Sequence, residues 1–304
     1  MKRSDIAVLL LLGALWGGSF LFMRMGANEF GSMPLAGMRA IGAAICFIPL
    51  LASREHITEL RVYWRSISVF GIANSALPFV LFSFAAQHLS AGLSAIFDAI
   101  TPLLVAASGW LWLNEKLDAP RIAGLIVGLA GVLWLVGGTA GFGHGGTGTG
   151  WAMAACVMAT VCYAFSVHYG HRRLRTVSPM TATAGSQVVA AVLLTPSTLW
   201  LWPAKMPGVH AWIAMFGLAV ACTSVAYVLF FRLIARVGTA RTMTVLYLIP
   251  AFGVLWGTVF LGEAFTMVMA VGCAVILLGT ALTTGVIRFR ATSATEPAIA
   301  AEKT

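Results

Sequence analysis

Two charged side chains lie inside apolar stretches of the chain, where a charge is costly and therefore informative. Asp98 lies seven residues into the stretch that begins at Ala91, which is roughly 10 Å along a helix axis. Its carboxylate could contact a substrate ammonium group, carry a proton, or serve as a hydrogen-bonded packing residue. Arg39 lies well inside another apolar stretch. Its guanidinium could bind a carboxylate or phosphate, reach back to the lipid headgroups, or pair with a helix end.

Other residue patterns that could support catalysis are weak. Glu115 and Glu263 suggest acid–base chemistry, but they fall on opposite faces of the predicted membrane span, so we assign them to the architecture. The five cysteines form no Cys-x-x-Cys pair, and no His-Glu-x-x-His is present. The Gly-rich segment Gly137–Gly150 lacks the Gly-Lys-Ser/Thr of a phosphate loop. The sequence therefore predicts no enzyme, metal or cofactor, with an intramembrane enzyme acting on lipid or peptide as a weak alternative.

Aromatic and small polar side chains recur within the apolar stretches and could line a substrate cavity. Buried polar groups need partners, and proline inside a helix frees a backbone carbonyl. The candidate lining residues are Trp16, Ser19, Phe20, Asn74, Phe79, Phe82, Thr101, Tyr163, Tyr227, Tyr247 and Trp256. The candidate kink or gating residues are Pro102, Pro250 and Pro78.

The composition indicates a protein that is embedded in a lipid bilayer. Of the 304 residues, 60% are hydrophobic and only 10% charged, and the mean hydropathy is +0.91. Soluble domains carry about 25% charged residues, and a membrane-spanning helix needs about 20 apolar residues. The sequence predicts an all-α integral membrane protein with ten transmembrane helices. They are Ile6–Met23, Pro34–Ala52, Ile67–Ala86, Ala91–Leu113, Ile122–Gly138, Trp151–Tyr169, Met180–Trp202, Ala211–Phe231, Met243–Leu261 and Ala264–Ile287.

The basic residues predict the orientation of these helices. With the N-terminus in the cytoplasm, 16 of the 19 Lys and Arg residues fall inside, and only Arg24, Arg39 and Lys205 fall outside or in the outer half of the membrane. Such a bias is typical of inner-membrane proteins. We therefore expect a multi-pass inner-membrane protein with both termini cytoplasmic. The net charge of +9 is a topology signal, so we expect membrane lipids and no nucleic acid as partners.

The chain contains an internal repeat. Pro102 and Pro250, and likewise Glu115 and Glu263, are each separated by 148 positions. Five helices per copy is an odd number, so the second copy should be inverted in the membrane. The predicted units are residues 1–138, a Gly-rich linker at 139–150, residues 151–290, and a disordered cytoplasmic tail at 291–304. Inverted repeats are typical of secondary transporters, which bind substrate between the halves.

Together these motifs resemble the EamA-type drug/metabolite transporters. The resemblance rests on Leu-Trp-Gly-Gly-Ser-Phe at 15–20, on Pro-Leu-Ala-Gly-Met-Arg at 34–39, and on the Pro and Glu of the fourth and ninth helices. It implies ten helices in two inverted five-helix repeats around a central cavity that opens alternately to each side. The known cargoes of the family are diverse, so the resemblance does not identify the substrate.

These observations predict a secondary transporter that moves a small metabolite, an amino acid or related amphiphile, most plausibly by export. Import or exchange of a sugar or phosphorylated metabolite, or drug export by the same fold, are the alternatives within this class. A monomer and a homodimer are both compatible with the sequence. Asp98 has no acidic equivalent at the offset of 148, where Leu246 stands, so Asp98 is a candidate contact for the substrate together with Arg39. The resemblance implies that arginine is common at the position of Arg39 across different cargoes, which favours a structural or gating role for it.

Overall fold

The computed structural model describes residues 1–114, 117–141 and 148–286, and within these ranges it is helical and contains no strand. Ten helical spans follow one another, and nine are long and apolar enough to cross a membrane. The tenth is apolar but shorter. The all-α membrane fold is therefore confirmed. The spans are α1 (Arg3–Phe30), α2 (Ser32–Leu51), α3 (Arg54–His88), α4 (Ala91–Asp98 and Thr101–Leu113), α5 (Ala119–Gly141), α6 (Thr149–Arg173), α7 (Pro179–Trp200), α8 (Val209–Val237), α9 (Thr239–Thr242 and Val245–Leu261) and α10 (Met267–Thr283).

Four of these spans are not continuous α-helices. α3 contains a π-helical segment at Ile72–Ala76, and α8 contains one at Gly217–Val225. α4 is interrupted at residues 99–100, and α9 at residues 243–244. The third, fourth, eighth and ninth spans are thus irregular, and they are the third and fourth of each predicted repeat. π-segments and breaks within membrane helices are tolerated where the freed backbone is buried in protein or faces a cavity.

Helix packing has the symmetry that a two-copy architecture requires. α1 packs on α9 as α6 packs on α4, and α3 packs on α6 as α8 packs on α1. α2 packs on α7 and α5 packs on α10, so each of these two pairs joins a helix of the first half to its counterpart in the second half. This pattern follows from exchanging helix n with helix n + 5. The inversion of one copy relative to the other stays a prediction.

Small residues allow α5 and α10 to approach closely. A Cβ on Gly279 would lie 2.4 Å from the backbone nitrogen of Gly128, and one on Gly124 would lie 2.6 Å from the nitrogen of Thr283. No side chain fits at such distances, so glycine is required at both positions. The Gly-xxx-Gly pattern at 124 and 128 therefore joins two helices of the same chain.

The prolines lie where the helices are irregular, although not all of them kink a helix. Pro102 is the second residue of the segment Thr101–Leu113, and Pro78 is the second residue after the π-segment of α3. The first turn of a helix tolerates proline, as at Pro102, because its N–H would have no partner there. Pro78 instead follows the π-segment without a break, and Pro250 lies in the interior of Val245–Leu261, so both remove a backbone donor within a span. The kink that we expected at Pro102 is thus a break just before it.

A polar cluster at the centre of the helix bundle

Arg39 is held in place by three different helices. Its Nε donates a hydrogen bond to Thr223 Oγ1 of α8 at 3.0 Å, and one terminal nitrogen points to Met23 Sδ of α1 at 3.8 Å. The guanidinium carbon lies 3.8 Å from the ring centroid of Phe79 of α3. Arg39 is only 8% exposed. It therefore lies in the bundle interior and does not reach back to the lipid headgroups.

The π-segment of α8 positions the hydroxyl that receives Arg39. Thr223 Oγ1 donates to the carbonyl of Leu218, five residues earlier, and Ser224 Oγ donates to Ala219 in the same way. In an ordinary α-helix a hydroxyl would bond three or four residues back. Because the wider π-turn brings the fifth carbonyl within reach, Thr223 is oriented to accept from Arg39 with its free lone pair.

Asp98 lies at the break in α4, where the first helical segment ends. The carboxylate is within electrostatic reach of Arg39 and next to Thr101, whose hydroxyl is buried without a well-formed hydrogen bond. The two side chains do not form an ion pair within 4.0 Å among the described residues. A carboxylate of α4 and a guanidinium of α2 thus lie in the same interior region without pairing directly.

Asn74, Tyr163 and Tyr227 lie beside Arg39 and Asp98. We call these five residues the central polar cluster. Tyr163 interacts electrostatically with Asp98, Tyr227 and Arg39, and the Tyr227 hydroxyl lies beside Asn74. Asn74 Oδ1 also accepts from Ser166 Oγ at 3.3 Å. The cluster draws one residue from each of α2, α3, α4, α6 and α8, so it joins both halves of the chain.

Aromatic side chains surround the central polar cluster. Trp16 meets Tyr227 edge-on at 6.1 Å between ring centroids, and Phe82 stacks on Tyr163 at 6.2 Å. Phe20 is buried and meets Phe82 edge-on at 5.4 Å. An apolar or aromatic part of a ligand would find matching surface here. Trp16, Phe20 and Phe82 were expected to line the site, and the structure places them around it.

Not every predicted lining residue lies at this place. Tyr247 donates to or accepts from Thr284 Oγ1 at 2.7 Å, between α9 and α10, and is partly exposed. Trp256 donates to the carbonyl of Ala14 at 3.0 Å and so fastens α9 to α1. Ser19 is buried. The roles of Tyr247 and Trp256 in the described structure are helix-to-helix contacts, because both side chains are occupied by protein partners.

A second set of buried polar residues lies between α3 and α7 and was not predicted. Gln187 Nε2 donates to Ser75 Oγ at 2.9 Å, and Ser75 Oγ lies 3.1 Å from Ser186 Oγ. All three are fully buried. Ser75 belongs to the π-segment of α3, beside Asn74. One π-segment therefore supplies a residue to the central polar cluster and, at the next position, the contact that fixes α3 against α7.

Acidic side chains outside the cluster serve as helix caps. Glu263, just beyond α9, accepts from the backbone nitrogens of Ala91 at 2.9 Å and Gly92 at 3.4 Å, the first residues of α4. Arg24 Nε lies 3.9 Å from the same carboxylate. Negative charge at a helix N-terminus is favourable. The architectural role expected for Glu263 is what the structure shows, whereas Glu115 lies outside the described residues.

Comparisons with known proteins agree with this architecture. The model of the EamA-like transporter family matches residues 4–137 and 150–285. An uncharacterized transporter of Bacillus subtilis, YvbV, is 24% identical, over 91% of this chain and 90% of its own length. An uncharacterized inner membrane transporter of Escherichia coli K12, YedA, is 25% identical, over 91% and 89%.

Two further comparisons concern fold and function separately. A probable terminal-alkyne amino-acid exporter of Streptantibioticus cattleyicolor is 25% identical, over 93% of this chain and 94% of its own. A solved crystal structure with a TM-score of 0.64 is 21% identical and covers 94% of this chain and 98% of its own. The structural likeness shows the fold. The family match covers both halves of the chain, and the protein therefore belongs to the EamA-like transporter family, as a multi-pass membrane transporter of the drug/metabolite superfamily.

Proposed function

We propose that this transporter exports a small zwitterionic metabolite of the amino-acid class and binds it at the central polar cluster. The observation that carries the proposal is Arg39, which is buried with unused donors opposite Asp98. The remaining steps concern the two charged ends of the substrate, its side chain and the direction of transport.

The guanidinium has more donors than the described protein satisfies. Arginine carries five N–H groups, and among the described residues the acceptors are Thr223 Oγ1 and the weakly accepting Met23 Sδ. Leaving a buried charged donor unpaired is expensive. A substrate carboxylate could accept from the remaining donors, since guanidinium and carboxylate can pair through two parallel hydrogen bonds.

Asp98 supplies the complementary charge for an ammonium group. It faces the same region as Arg39 but is not ion-paired with it. A zwitterion placed between them would satisfy both groups at once, whereas a direct pair would leave the site without charge complementarity for a substrate. The aromatic surround of Trp16, Phe20 and Phe82 would receive the side chain.

The direction and energy source are inferred from other features. Export is supported by the name of the Streptantibioticus relative, a probable terminal-alkyne amino-acid exporter. The predicted orientation, with both termini cytoplasmic in an inner membrane, rests on the charge bias of the loops. The two predicted units, residues 1–138 and 151–290 joined by the Gly-rich linker, would alternate by rocking against each other, driven by the substrate gradient or by protons.

The test is counterflow in proteoliposomes that contain the purified protein. Vesicles are loaded with one unlabelled compound from a panel of amino acids, sugars and phosphorylated sugars, and uptake of the labelled compound is compared with that of empty vesicles. We expect accumulation only with members that carry both a carboxylate and an ammonium group. Accumulation of phosphorylated sugars alone would reject the zwitterion, and no accumulation with any member would reject the transport site. Right-side-out and everted cell vesicles then give the direction.

A further inference from the structure

Helix α3 is longer than a membrane-spanning helix needs to be. It runs over 35 residues, Arg54–His88, which corresponds to about 52 Å at 1.5 Å per residue, against a hydrocarbon thickness of about 30 Å. Its backbone departs from helical geometry at Tyr63 (φ −102°, ψ 16°). The first part of α3, Arg54–Arg65, therefore lies at the membrane boundary, and we call it the α3 extension.

One face of the α3 extension is fixed to the start of α7. Glu59 accepts hydrogen bonds from the backbone nitrogen of Ser178 at 3.0 Å and from the hydroxyl of Thr181. His56 Nδ1 lies 2.8 Å from Thr181 Oγ1. The Thr176 hydroxyl donates to Tyr63 Oη at 2.9 Å. These contacts turn the negative charge of Glu59 toward the protein, where it caps α7.

The opposite face carries three arginines and exposed apolar side chains. Arg54 and Arg61 are spaced by seven residues, which places them on one side of the helix before Tyr63. Arg65 follows the departure at Tyr63, next to Trp64, and all three arginines are exposed. Trp64 beside them is 57% exposed, and the Arg65 guanidinium lies 5.3 Å from the centroid of its ring. A shallow groove of about 550 Å³ lies at the edge of this face toward α7 and is lined by Ile57, Leu60, Arg61 and Trp64. The face combines positive charge with an apolar channel beside it.

We propose that this face of the α3 extension is a binding site for an anionic phospholipid, whose headgroup phosphate contacts Arg61 and Arg65 and whose acyl chain lies in the groove beside Trp64. Charge complementarity selects the occupant: on the outward side Glu55 is the neighbouring acid, against three arginines. His56 and Glu59 face α7. An exposed tryptophan next to arginines is the arrangement found at the headgroup level of membranes.

The apolar part of the site distinguishes a lipid from free phosphate. Arginines alone would bind any phosphate, but Ile57 and Trp64 add apolar surface that only an acylated ligand can cover. Juxtamembrane basic residues are attracted to the surface of an anionic leaflet. With α7 fastened to the other face, a bound lipid would hold the start of α7 at the membrane surface. The lipid site does not depend on which substrate is transported. Only its assignment to the cytoplasmic leaflet rests on the proposed orientation.

Native mass spectrometry of the full-length protein in detergent tests the site. The probes are palmitoyl-oleoyl phosphatidylglycerol, the phosphatidylcholine with the same acyl chains, and inorganic phosphate as competitor. We expect the wild type to retain phosphatidylglycerol in preference to phosphatidylcholine, with binding that weakens as salt rises. The variant R54Q/R61Q/R65Q should bind phosphatidylglycerol at least tenfold more weakly. Inorganic phosphate at equal concentration should not displace the lipid.

The matched control is R172Q/R173Q/R175Q, which removes the same charge from exposed arginines at the end of α6. It should retain phosphatidylglycerol within twofold of wild type. Equal losses in both triple variants, equal binding of the two lipids, or displacement by inorganic phosphate would each overturn the proposal. If R54Q/R61Q/R65Q fails to fold, two other measurements test the proposal. The variant W64A should weaken phosphatidylglycerol binding without changing the salt dependence of that binding. Wild-type binding that does not depend on salt would overturn the proposal.

Discussion

At the scale of single residues, Arg39 has a position that lysine could not reproduce. Its Nε donates to Thr223 and its guanidinium carbon lies 3.8 Å from the ring centroid of Phe79, which leaves the terminal nitrogens as donors for a ligand. A lysine ammonium is a point charge on a flexible stem, without the planar fork that pairs with a carboxylate. The proposed substrate contact therefore depends on geometry as well as charge.

Arg39→Lys should reduce transport tenfold to a hundredfold, because a hydrogen bond to a charged group contributes about 1.5–3 kcal/mol. The measurement is counterflow of the best zwitterionic substrate, with protein amount and melting temperature checked in parallel. Arg232→Lys is the matched control, since Arg232 is exposed on α8 and should retain full transport. Transport by Arg39→Lys equal to that of Arg232→Lys would contradict the role of Arg39.

Asp98→Asn tests the other end of the substrate. The amide has almost the same shape but no charge, so the variant should lose transport of zwitterions tenfold or more. The loss of binding, measured as the rise in melting temperature on adding ligand, should be smaller for an analogue that keeps the carboxylate and lacks the ammonium group. Asp118→Asn serves as the control, since Asp118 is exposed and lies 3.5 Å from Arg121 at the start of α5. Equal losses for both substrates would show that Asp98 acts without contacting the ammonium.

The sequence alone predicts the charged and large polar residues of the central polar cluster, but it does not predict the residues that they contact. Arg39, Asn74, Asp98 and Tyr163 are conspicuous in apolar stretches, and the structure brings them together. Thr223 is not conspicuous, because threonine is common in membrane helices and its role depends on a π-turn that no local pattern predicts. Tyr247 and Tyr227 are both tyrosines within predicted spans, yet Tyr247 hydrogen-bonds to Thr284. Residue type alone does not show which face of a helix a residue occupies.

At the scale of elements, the third span of each half is widened at a similar position. The π-segment of α3 supplies Asn74 and Ser75, and that of α8 supplies Thr223. Each extra backbone residue turns a polar side chain toward a neighbouring helix. The number and approximate limits of the spans could be predicted from hydropathy, because length and apolarity decide them. The π-segments could not, because they result from tertiary contacts.

The cap of α4 gives a prediction for the ends of the elements. Glu263 receives two backbone N–H groups of α4 and lies near Arg24, which itself donates to the carbonyls of Ala86 and Gln87 at the end of α3. Loss of a helix cap costs about 0.5–2 kcal/mol. Glu263→Gln should lower the melting temperature by a few degrees in detergent, since about 1 kcal/mol corresponds to 2–4 °C in larger domains.

Glu55→Gln is the control for this cap, because Glu55 lies in the exposed first turn of the α3 extension, and it should lower the melting temperature less than Glu263→Gln does. The repeat extends the prediction to Glu115, which lies outside the described residues. The offset of 148 that relates Glu263 to Glu115 also relates Thr239, the first residue of α9, to Ala91. Glu115→Gln should therefore destabilise the protein as Glu263→Gln does. Unchanged melting of Glu263→Gln would contradict the capping role.

At the scale of the whole molecule, the two halves meet unevenly along α4 and α9. The segment Ala91–Asp98 packs closely on α9, whereas Thr101–Leu113 packs mainly on α6. A Cβ on Gly253 would lie 2.4 Å from Ala95 Cβ, so the first contact excludes any larger residue. The two helices are therefore joined at the predicted outer side and diverge beyond the break in α4. In this conformation the central polar cluster would be closed to the outside.

If transport requires this contact to open, fixing it should stop transport. A Cβ at Gly257 would lie 3.5 Å from Ala91 Cβ, within the range of a disulfide, although the Glu263 side chain must move aside. In a variant whose five native cysteines are replaced by serine or alanine, Ala91→Cys with Gly257→Cys should lose counterflow on oxidation and recover it on reduction.

Gly26→Cys with Ala214→Cys is the matched cross-link, because a Cβ at Gly26 would lie 3.8 Å from Ala214 Cβ. It joins α1 to α8, which pack together along both the α-helical and π-helical parts of α8. α1 and α8 belong to the two units that are proposed to rock against each other, so this disulfide should also reduce counterflow on oxidation if each five-helix unit moves as a rigid body. Intact counterflow would show instead that α1, α8 and α9 move together past α4. Active transport by the oxidised Ala91–Gly257 pair would show that the cargo leaves by a path other than between α4 and α9.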